Sequence, residues 1–287
     1  MTYQIVAIGE VLWDLLPTGK KVGGAPGNFA YHARQLGADA QMISRVGNDD
    51  LGHELLDFYR SRGLPVDFIA MDEKYPTGAV DVVVDSNGQP HYTFRDDVAW
   101  DHLVADEKSL TLCRNADAIC YGTLAGRGTA SREPLRQMIL AAPKNAIRIF
   151  DVNLRAPHYK QENVLELLEL ANILKLNNDE IRVIARMLGN DATDVHDLAA
   201  WLRQKYDYKL LILTCGENGG ILMTEKETSV YRSDPVNVVD TVGAGDAFTA
   251  AALIGYLNGE PLETINKTAA DLAAYVCTQQ GGMPDYP

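Results

Sequence analysis

The feature that most constrains the fold is an alternation of short apolar segments with amphipathic stretches along the whole chain. Six segments have the length and composition of buried strands: 3–8, 41–46, 117–121, 147–152, 173–176 and 209–214. Helical patterns lie between most of them, at 51–62, 162–171, 179–188 and 195–205, and another follows Asn28. Apolar strands separated by amphipathic helices indicate a parallel sheet covered on both faces. We therefore predict an α/β protein with a mainly parallel central sheet.

Two parts of the sequence depart from this alternation and predict a small second sheet. Residues 78–84 and 91–95 flank DSNGQP, whose Asn-Gly pair is a strong signal for a β-hairpin. The segment 10–16 is also extended. Ligands of α/β proteins bind at the carboxyl ends of the strands, so a sheet inserted there would form a lid over the site. The predicted organisation is a single domain, 1–287, with lid segments near 10–22 and 77–98.

The composition limits the classes of partner. Hydrophobic residues make up 46% of the 287 residues, charged residues 23%, and the net charge is −13. Nucleic-acid binding requires clustered Lys and Arg, which the sequence lacks, so we expect no such partner. No apolar run reaches the roughly 18 residues of a membrane span, and no basic segment precedes the first apolar stretch, so we expect neither a membrane protein nor a secreted one. The four cysteines lack metal or redox spacing, which is typical of a cytoplasmic protein.

The motif DTVGAGDAF, at 240–248, carries the strongest chemical signal. Gly243, Ala244 and Gly245 precede an apolar helical run, so their backbone N–H groups are predicted to lie at a helix N-terminus, which favours negative charge. Asp246 follows in the same turn. An anion site with a base beside it is what phosphoryl transfer to a hydroxyl requires. The alternative is a helix-capping aspartate after a glycine-rich turn, and the helix position also predicts a lowered pKa for Asp246.

Two features near the N-terminus have both a structural and a binding interpretation. The glycines of GGAPGN, at 23–28, allow the backbone to approach a ligand closely, or they form an ordinary turn. Asn28 at its end can cap a helix or hydrogen-bond a hydroxyl group. Asp14 lies in the apolar stretch VLWDLLP, where a charge needs a partner unless the side chain points outward from a lid strand.

Three further motifs follow predicted strands, at the edge where α/β proteins bind ligands. Arg155 ends DVNLR and can contact an anionic or hydroxylated ligand, or neutralise a neighbouring carboxylate. Asn177 and Glu180, in NNDE, are suited to ordering a hydrated magnesium ion, although their default role is to cap the helix. The glycines of TCGENGG, at 214–220, can line a nucleotide or form a hairpin turn.

Taken in order, these motifs resemble those of the ribokinase (PfkB) family of sugar and nucleoside kinases. The resemblance rests on the Gly-Gly-x-x-x-Asn turn, the Asn-x-x-Glu after a strand, the Thr-x-Gly strand end and DTVGAGDAF, and it spans essentially the whole chain. GGAPGN, DVNLR and FRDDVAW are similar to the fructokinase branch, whereas ribokinases usually carry a lysine where this sequence has Ala25. The sequence has neither the GxxxxGK[ST] of P-loop enzymes nor a GxGxxG fingerprint.

The resemblance implies a ribokinase-like three-layer α/β/α fold with a small β-sheet lid, and the use of ATP with magnesium. It also implies that Asp246 is the base that accepts the proton of the sugar hydroxyl, with the backbone of Gly243, Ala244 and Gly245 as the anion hole. The remaining implied roles are sugar contacts at Asp14, Gly24, Asn28, Arg95 and Arg155; ATP contacts at Asn177, Thr214, Gly216 and Gly219; magnesium, through water, at Asn177 and Glu180; and a monovalent cation, usually potassium, at Asp240.

The activity that the resemblance implies is that of an ATP-dependent fructokinase acting on the 6-hydroxyl, as a cytoplasmic homodimer joined through the lid. An alternative in the same class is a kinase for another sugar or sugar acid, such as ribose or 2-keto-3-deoxygluconate. A different class is a catalytically silent regulator that binds sugar or nucleotide on the same fold. The presence of Asp246, the adjacent glycines and the Asn177–Glu180 pair favours an enzyme.

Overall fold

The computed structural model describes residues 2–84 and 90–286, which form two sheets flanked by helices. The strands are β1 (Gln4–Ile8), β2 (Leu12–Leu16), β3 (Gly19–Gly23), β4 (Asp39–Gly47), β5 (Ile69–Asp72), β6 (Gly78–Val84), β7 (Pro90–Phe94), β8 (Ala118–Gly122), β9 (Ile147–Asp151), β10 (Ile173–Asn177), β11 (Leu210–Thr214), β12 (Gly220–Met223) and β13 (Thr228–Tyr231). The α-helices are α1 (Ala25–Gln35), α2 (Asp50–Ser61), α3 (Glu107–Arg114), α4 (Thr129–Ala141), α5 (Gln161–Leu170), α6 (Asn178–Met187), α7 (Val195–Tyr206), α8 (Ala244–Leu257) and α9 (Leu262–Cys277). The predicted Asn87-Gly88 hairpin turn lies outside the described residues.

The larger sheet has nine strands in the order β13-β12-β11-β10-β9-β8-β1-β4-β5. The pairings from β11 to β5 are all parallel, whereas β12 and β13 are added antiparallel at one edge. All six predicted strands are present, and each end lies within two residues of its predicted position. The mainly parallel sheet predicted from the sequence is therefore confirmed.

Alternate residues of each central strand feed two separate hydrophobic cores. In β1, Ile5 and Ala7 join the core that packs against α1, α2, α8 and α9. Val6 and Ile8 point to the opposite face and join the core formed with α3 to α7. Because successive side chains of a strand point to opposite faces, a strand buried on both sides is apolar throughout. The three layers predicted for the chain are observed.

The smaller sheet has four strands in the order β3-β2-β6-β7. Leu12, Val80 and Val82 form its apolar cluster, and Leu16 and Phe94 pack against them. The extended segments predicted at 10–16, 78–84 and 91–95 correspond to β2, β6 and β7. The sequence of β3, GKKVG, has no alternating apolar pattern, and its pairing with β2 is what makes it a strand.

The start of α1 differs from the sequence prediction. The helix begins at Ala25 rather than after Asn28, with Gly24 as its N-cap residue at a φ of +112° and Pro26 in the first turn. Proline suits this turn because its missing N–H would have no helical partner there. Asn28 is therefore free of a capping role, and its side chain is available to the site. Among the described residues, none of the helices combines the length and the apolar character that crossing a bilayer requires.

Candidate active site

Two cavities open at the carboxyl-terminal edge of the large sheet and meet at the first turn of α8. The small-sheet cavity, about 710 Å³, is lined by both sheets and by the loop after β9; the helix cavity, about 510 Å³, is lined by α8, α9 and the ends of β10 and β11. Thr241 and Gly245 line both cavities. A ligand in each would therefore meet its neighbour beside the start of α8.

The first turn of α8 has the geometry of an anion site. Gly243 is the N-cap residue in the left-handed region, at a φ of +79°, and offers no side chain to cap the helix. A Cβ on Gly243 would lie 2.6 Å from both Cα and the carbonyl oxygen of Gly282, so the C-terminal segment packs directly against this turn. The N–H groups of a first helical turn have no partner within the helix. The N–H of Ala244 makes only a long hydrogen bond of 3.4 Å, to the carbonyl oxygen of Thr241, so the turn still favours a negatively charged group at the junction of the cavities.

Asp246 lies in the same turn and is 91% buried at the wall of the small-sheet cavity. Its Oδ2 accepts a hydrogen bond of 2.8 Å from Nδ2 of Asn28. Burial, helped by the nearby Asp151, raises the pKa of Asp246 to about 6, against the opposing effects of Lys175, Asn28 and Arg155. The lowered pKa expected from the helix dipole is therefore wrong in direction, because desolvation outweighs the dipole. The carboxyl group is still mainly ionised at pH 7.

One arginine and three carboxyl groups share the small-sheet cavity. Burial raises the pKa of Asp14, and Arg155 opposes this effect. Glu10, which sequence analysis missed, is 3% exposed; burial raises its pKa to about 7, again against Arg155. Gly23 makes room for Asp14, because a Cβ at that position would lie 2.7 Å from Asp14 Oδ2. The cavity thus offers several hydrogen-bonding groups at fixed positions, as recognition of a polyhydroxylated ligand requires.

Four of the five predicted sugar contacts are brought together in this cavity, and one is not. Asp14, Gly24, Asn28 and Arg155 are part of its lining. Arg95 lies outside the lining, where its guanidinium group donates hydrogen bonds of 3.0 and 2.9 Å to the two oxygens of Asp81 on β6. Arg95, in the motif FRDDVAW, therefore forms a bidentate ion pair beside the small sheet instead of lining the cavity.

A buried ion pair beside Asp246 was also missed by sequence analysis. Lys175 on β10 donates a hydrogen bond of 2.9 Å to Oδ1 of Asp151, at the end of β9. Burial lowers the pKa of Lys175, but Asp151, Glu180 and Asp246 together outweigh it and hold that pKa above its usual range. The segment ILKL reads as an ordinary buried strand, and only the lysine within it marks the site.

The predicted nucleotide contacts all line the helix cavity. They are Asn177, Thr214, Gly216 and Gly219. The opposite wall is largely apolar and includes Val236, Val238, Phe248, Ala270 and Ala273. The hairpin turn, which was the other interpretation of TCGENGG, is observed as well, because β11 and β12 pair antiparallel on either side of it. The hairpin and the cavity wall are thus one feature.

Asn177 and Glu180 form a capping box at the start of α6. Asn177 Oδ1 accepts from the N–H groups of Asp179 and Glu180, both at 2.9 Å, and Glu180 Oε2 accepts from the N–H of Asn177 at 2.8 Å. Glu180 Oε1 accepts from the N–H of Leu154 at 3.0 Å. Across residues 2–84 and 90–286, no group of three or more His, Cys, Asp or Glu side chains is placed to hold a metal ion.

Asp240 lies just before the first turn of α8 and is already surrounded by donors. Its Oδ1 accepts from the N–H of Val242 at 3.1 Å, and its Oδ2 accepts from the N–H of Gly281 at 3.1 Å and from Lys21 Nζ at 3.2 Å. Partial burial raises the pKa of Asp240, but these hydrogen bonds and the lysine charge outweigh it, and the pKa is lowered overall. The Asp240 carboxylate therefore links β3, the segment just before α8 and the C-terminal segment through its hydrogen bonds.

Comparison with known proteins places the chain among sugar kinases. Residues 9–287 match the family described as pfkB family carbohydrate kinase. Fructokinase-2 of Oryza sativa subsp. japonica is 29% identical, over 99% of this chain and 90% of its own length. An uncharacterized sugar kinase of Pyrococcus horikoshii is 30% identical over 99% and 93% of the two chains. Its crystal structure covers 97% of this chain and 93% of its own, with a TM-score of 0.84.

A fructokinase from Vibrio cholerae, crystallised with fructose, ADP and calcium, is only 20% identical but has the same fold, with a TM-score of 0.82 over 98% of this chain and 95% of its own. The family match covers all the motifs around the two cavities, from the turn before α1 to the first turn of α8. The chain therefore belongs to the pfkB family of carbohydrate kinases.

Proposed function

We propose that the protein is an ATP-dependent fructokinase that transfers the γ-phosphoryl group of ATP to the 6-hydroxyl of fructose. The observation that carries the proposal is the position of Asp246 and the first turn of α8 at the junction of the two cavities. The choice of fructose is supported by a fructokinase that is 29% identical over 99% of this chain. The choice of ATP is supported by a 28% identical sugar kinase structure determined in complex with ATP.

The sugar would occupy the small-sheet cavity. Asp14, Asn28 and Arg155 would hydrogen-bond its hydroxyl groups, and Gly24 would let the backbone approach the ring. We propose that the small sheet is a lid over this cavity and that two copies of the chain pair through it in the cytoplasm. Closing such a lid excludes water, which would otherwise compete as phosphoryl acceptor.

The ionised Asp246 would accept the proton of the attacking hydroxyl. The hydroxyl oxygen forms a bond to the γ-phosphorus while the bond from that phosphorus to the β–γ bridging oxygen breaks, and ADP leaves with the electron pair. The backbone N–H groups of Gly243, Ala244 and Gly245 would stabilise the charge on the phosphoryl oxygens. In such transfers, positioning and charge stabilisation supply most of the acceleration.

ATP would lie in the helix cavity, with Thr214, Gly216 and Gly219 along one side. Each oxygen of Glu180 accepts one backbone N–H, which leaves acceptor capacity for a water molecule of a hydrated magnesium ion. Glu180 therefore fits such an ion, which would neutralise phosphate charge, whereas Oδ1 of Asn177 already accepts from two N–H groups and its amide NH2 would donate to a phosphate oxygen instead. Asp240 Oδ2 already accepts from Lys21 and Gly281, so the residues present do not fit a potassium ion at that oxygen, and no step is derived through one.

The proposal is tested with a substrate panel of fructose, ribose and 2-keto-3-deoxygluconate, in which sugar-dependent release of ADP is measured with the Asp246→Asn variant as background. We expect fructose to give the highest kcat/KM. Turnover of another sugar but not of fructose would show that the other sugar is the substrate. Calorimetric binding of both sugar and ATP without any release of ADP would instead favour the regulator.

The contrast between the two arginines gives a matched pair of variants. Arg155→Ala is expected to raise the KM for the sugar by about 10- to 100-fold, because charge-assisted hydrogen bonds contribute about 1.5–3 kcal/mol. Arg95→Ala should leave that KM within about fivefold, because exposed ion pairs contribute at most about 1 kcal/mol. Sugar titrations at saturating ATP measure both, and an equal rise in KM for the two variants would contradict the placement of Arg95.

The buried Asp246 predicts a loss of activity in acid. With its pKa raised to about 6 by burial, the base is ionised above that pH and protonated below it. We expect kcat/KM to be level near pH 7.5 and to fall roughly tenfold per pH unit well below pH 6. A pH profile in constant-ionic-strength buffers measures this. A plateau that extends unchanged to pH 4.5 would contradict the assignment of Asp246 as base.

A further inference from the structure

The buried ion pair formed by Lys175 and Asp151 is not explained by packing. The two residues are direct partners in the register of β9 and β10, with only 9% and 8% of their side chains exposed. Burying two charges costs several kcal/mol for each ion, and an apolar pair of similar volume is often at least as stable. Every neighbouring position of β10 before Asn177 is apolar and buried, as a central strand requires. The ion pair therefore needs a reason other than the stability of the sheet.

The ammonium group of Lys175 lies beside the first turn of α8. A Cβ placed on Gly245 would lie 3.4 Å from Lys175 Nζ, so the ammonium packs against the backbone of the first turn of α8. Lys175 also belongs to the lining of the small-sheet cavity, together with Asp246. Asp151 holds the ammonium from the side of the sheet through its 2.9 Å hydrogen bond. The arrangement places one fixed positive charge next to a buried carboxylate.

We propose that Lys175, anchored by Asp151, is a positioning residue that keeps Asp246 ionised in its buried site. The inference deepens the proposed function and rests on it, because it assumes that Asp246 is the base. Lys175 acts through Asp246 and does not itself accept the substrate proton. The structure supplies no other buried ammonium beside Asp246 among the described residues.

The groups that face Asp246 come from several elements: Asn28 on α1, Glu10 after β1, Cys120 on β8, Asp151 on β9, Arg155 after β9 and Lys175 on β10. The carboxyl groups of Asp151 and Glu10 disfavour a negative charge on Asp246, whereas the lysine and the arginine favour it. Removing the charge of Lys175 should therefore raise the pKa of Asp246. Removing that of Asp151, with the lysine kept in place, should lower it.

The opposite effects of the two charges on the pKa of Asp246 give a test, because an ion pair with a purely structural role would not produce them. Lys175→Met removes the charge at similar length, Lys175→Arg keeps it, and Asp151→Asn removes the opposing charge while its amide oxygen can still accept from Lys175. We expect the acid limb of kcat/KM to move upward by about one to two pH units in Lys175→Met and downward by about half to one unit in Asp151→Asn, as expected for loss of a nearby charge. Lys175→Arg should stay close to the wild type.

The same shifts are measured without turnover by NMR of protein labelled at the aspartate carboxyl carbon. The Asp246 resonance is identified as the one missing in Asp246→Asn, and its titration gives the pKa directly. If the wild type releases no ADP with any sugar, the proposed function fails while this titration still decides the inference. If Lys175→Met is unfolded by circular dichroism, Asp151→Asn and Lys175→Arg decide it.

The expected result is opposite shifts in Lys175→Met and Asp151→Asn, by both readouts, with Lys175→Arg near the wild type. Equal losses of kcat at every pH, with no shift in the profile or in the Asp246 titration, would overturn the inference. So would shifts of Lys175→Met and Asp151→Asn in the same direction. An unshifted Asp151→Asn overturns it in the case where Lys175→Met does not fold.

Discussion

Replacing Asp246 with Asn is expected to lower kcat by about 10²- to 10⁴-fold, the usual contribution of a positioned general base. Asparagine has nearly the same shape, and its amide oxygen can still accept the 2.8 Å hydrogen bond from Asn28. The folded structure and both cavities should therefore persist. We expect the Kd for ATP, and that for fructose, to change by less than about fivefold, because neither ligand depends on the proton acceptor in the ground state.

Single-turnover kinetics and isothermal titration calorimetry measure the two effects separately. Asp191→Asn, at an exposed position that lines neither cavity, is the matched control and should keep the wild-type kcat. A kcat of Asp246→Asn within tenfold of the wild type would show that another group accepts the proton. Loss of ATP binding in the same variant would show that its defect is structural.

Replacing Gly243 with Ala is expected to lower kcat by at least about 10²-fold, the effect of losing an oxyanion-type donor. The left-handed backbone at a φ of +79° disfavours any side chain, and the added Cβ would lie 2.6 Å from backbone atoms of Gly282. The two backbone segments cannot move apart at that point without displacing the N–H groups of the first turn of α8. The anion hole would then be displaced from the junction of the cavities.

Gly189→Ala separates the two causes. Gly189 has nearly the same conformation, at a φ of +77°, but no atom lies within 4 Å of a Cβ placed there. This control should lose only the roughly 1–2 kcal/mol of backbone strain in the free energy of unfolding, with kcat unchanged. Gly243→Ala should lose more stability and also activity. Urea unfolding and steady-state kinetics give both quantities, and identical behaviour of the two variants would contradict the packing described at Gly282.

The fold was predictable because its signals are local. Each central strand is rich in apolar residues, and each covering helix has its own apolar face, so the alternation of α and β can be read without knowing which strands pair. The same holds for the start of α8, where small residues precede an apolar helix. By contrast, β3 is a strand only because β2 pairs with it, and no property of GKKVG itself predicts that.

The parts of the site that escaped prediction depend on neighbours distant in sequence. Arg95 was expected to contact the sugar, but its guanidinium group forms an ion pair with Asp81 on β6 and lies outside the lining of the small-sheet cavity. Lys175 was not recognised as part of the site, because its partner Asp151 comes from the preceding strand. The pKa of Asp246 was predicted from the helix alone, whereas burial in the folded chain determines the direction of its shift. Long-range pairing and desolvation are properties of the folded chain, not of a motif.

The position of the new phosphate ester on fructose is the most direct test of the proposed reaction. The wild-type protein is incubated with ATP, magnesium and ¹³C-labelled fructose, and the product is examined by ¹³C and ³¹P NMR, with Asp246→Asn as the control. We predict phosphorus coupling at C6 and none at C1, and no product above background from the variant. Phosphate at C1, or no phosphorylated fructose at all, would contradict the proposed function.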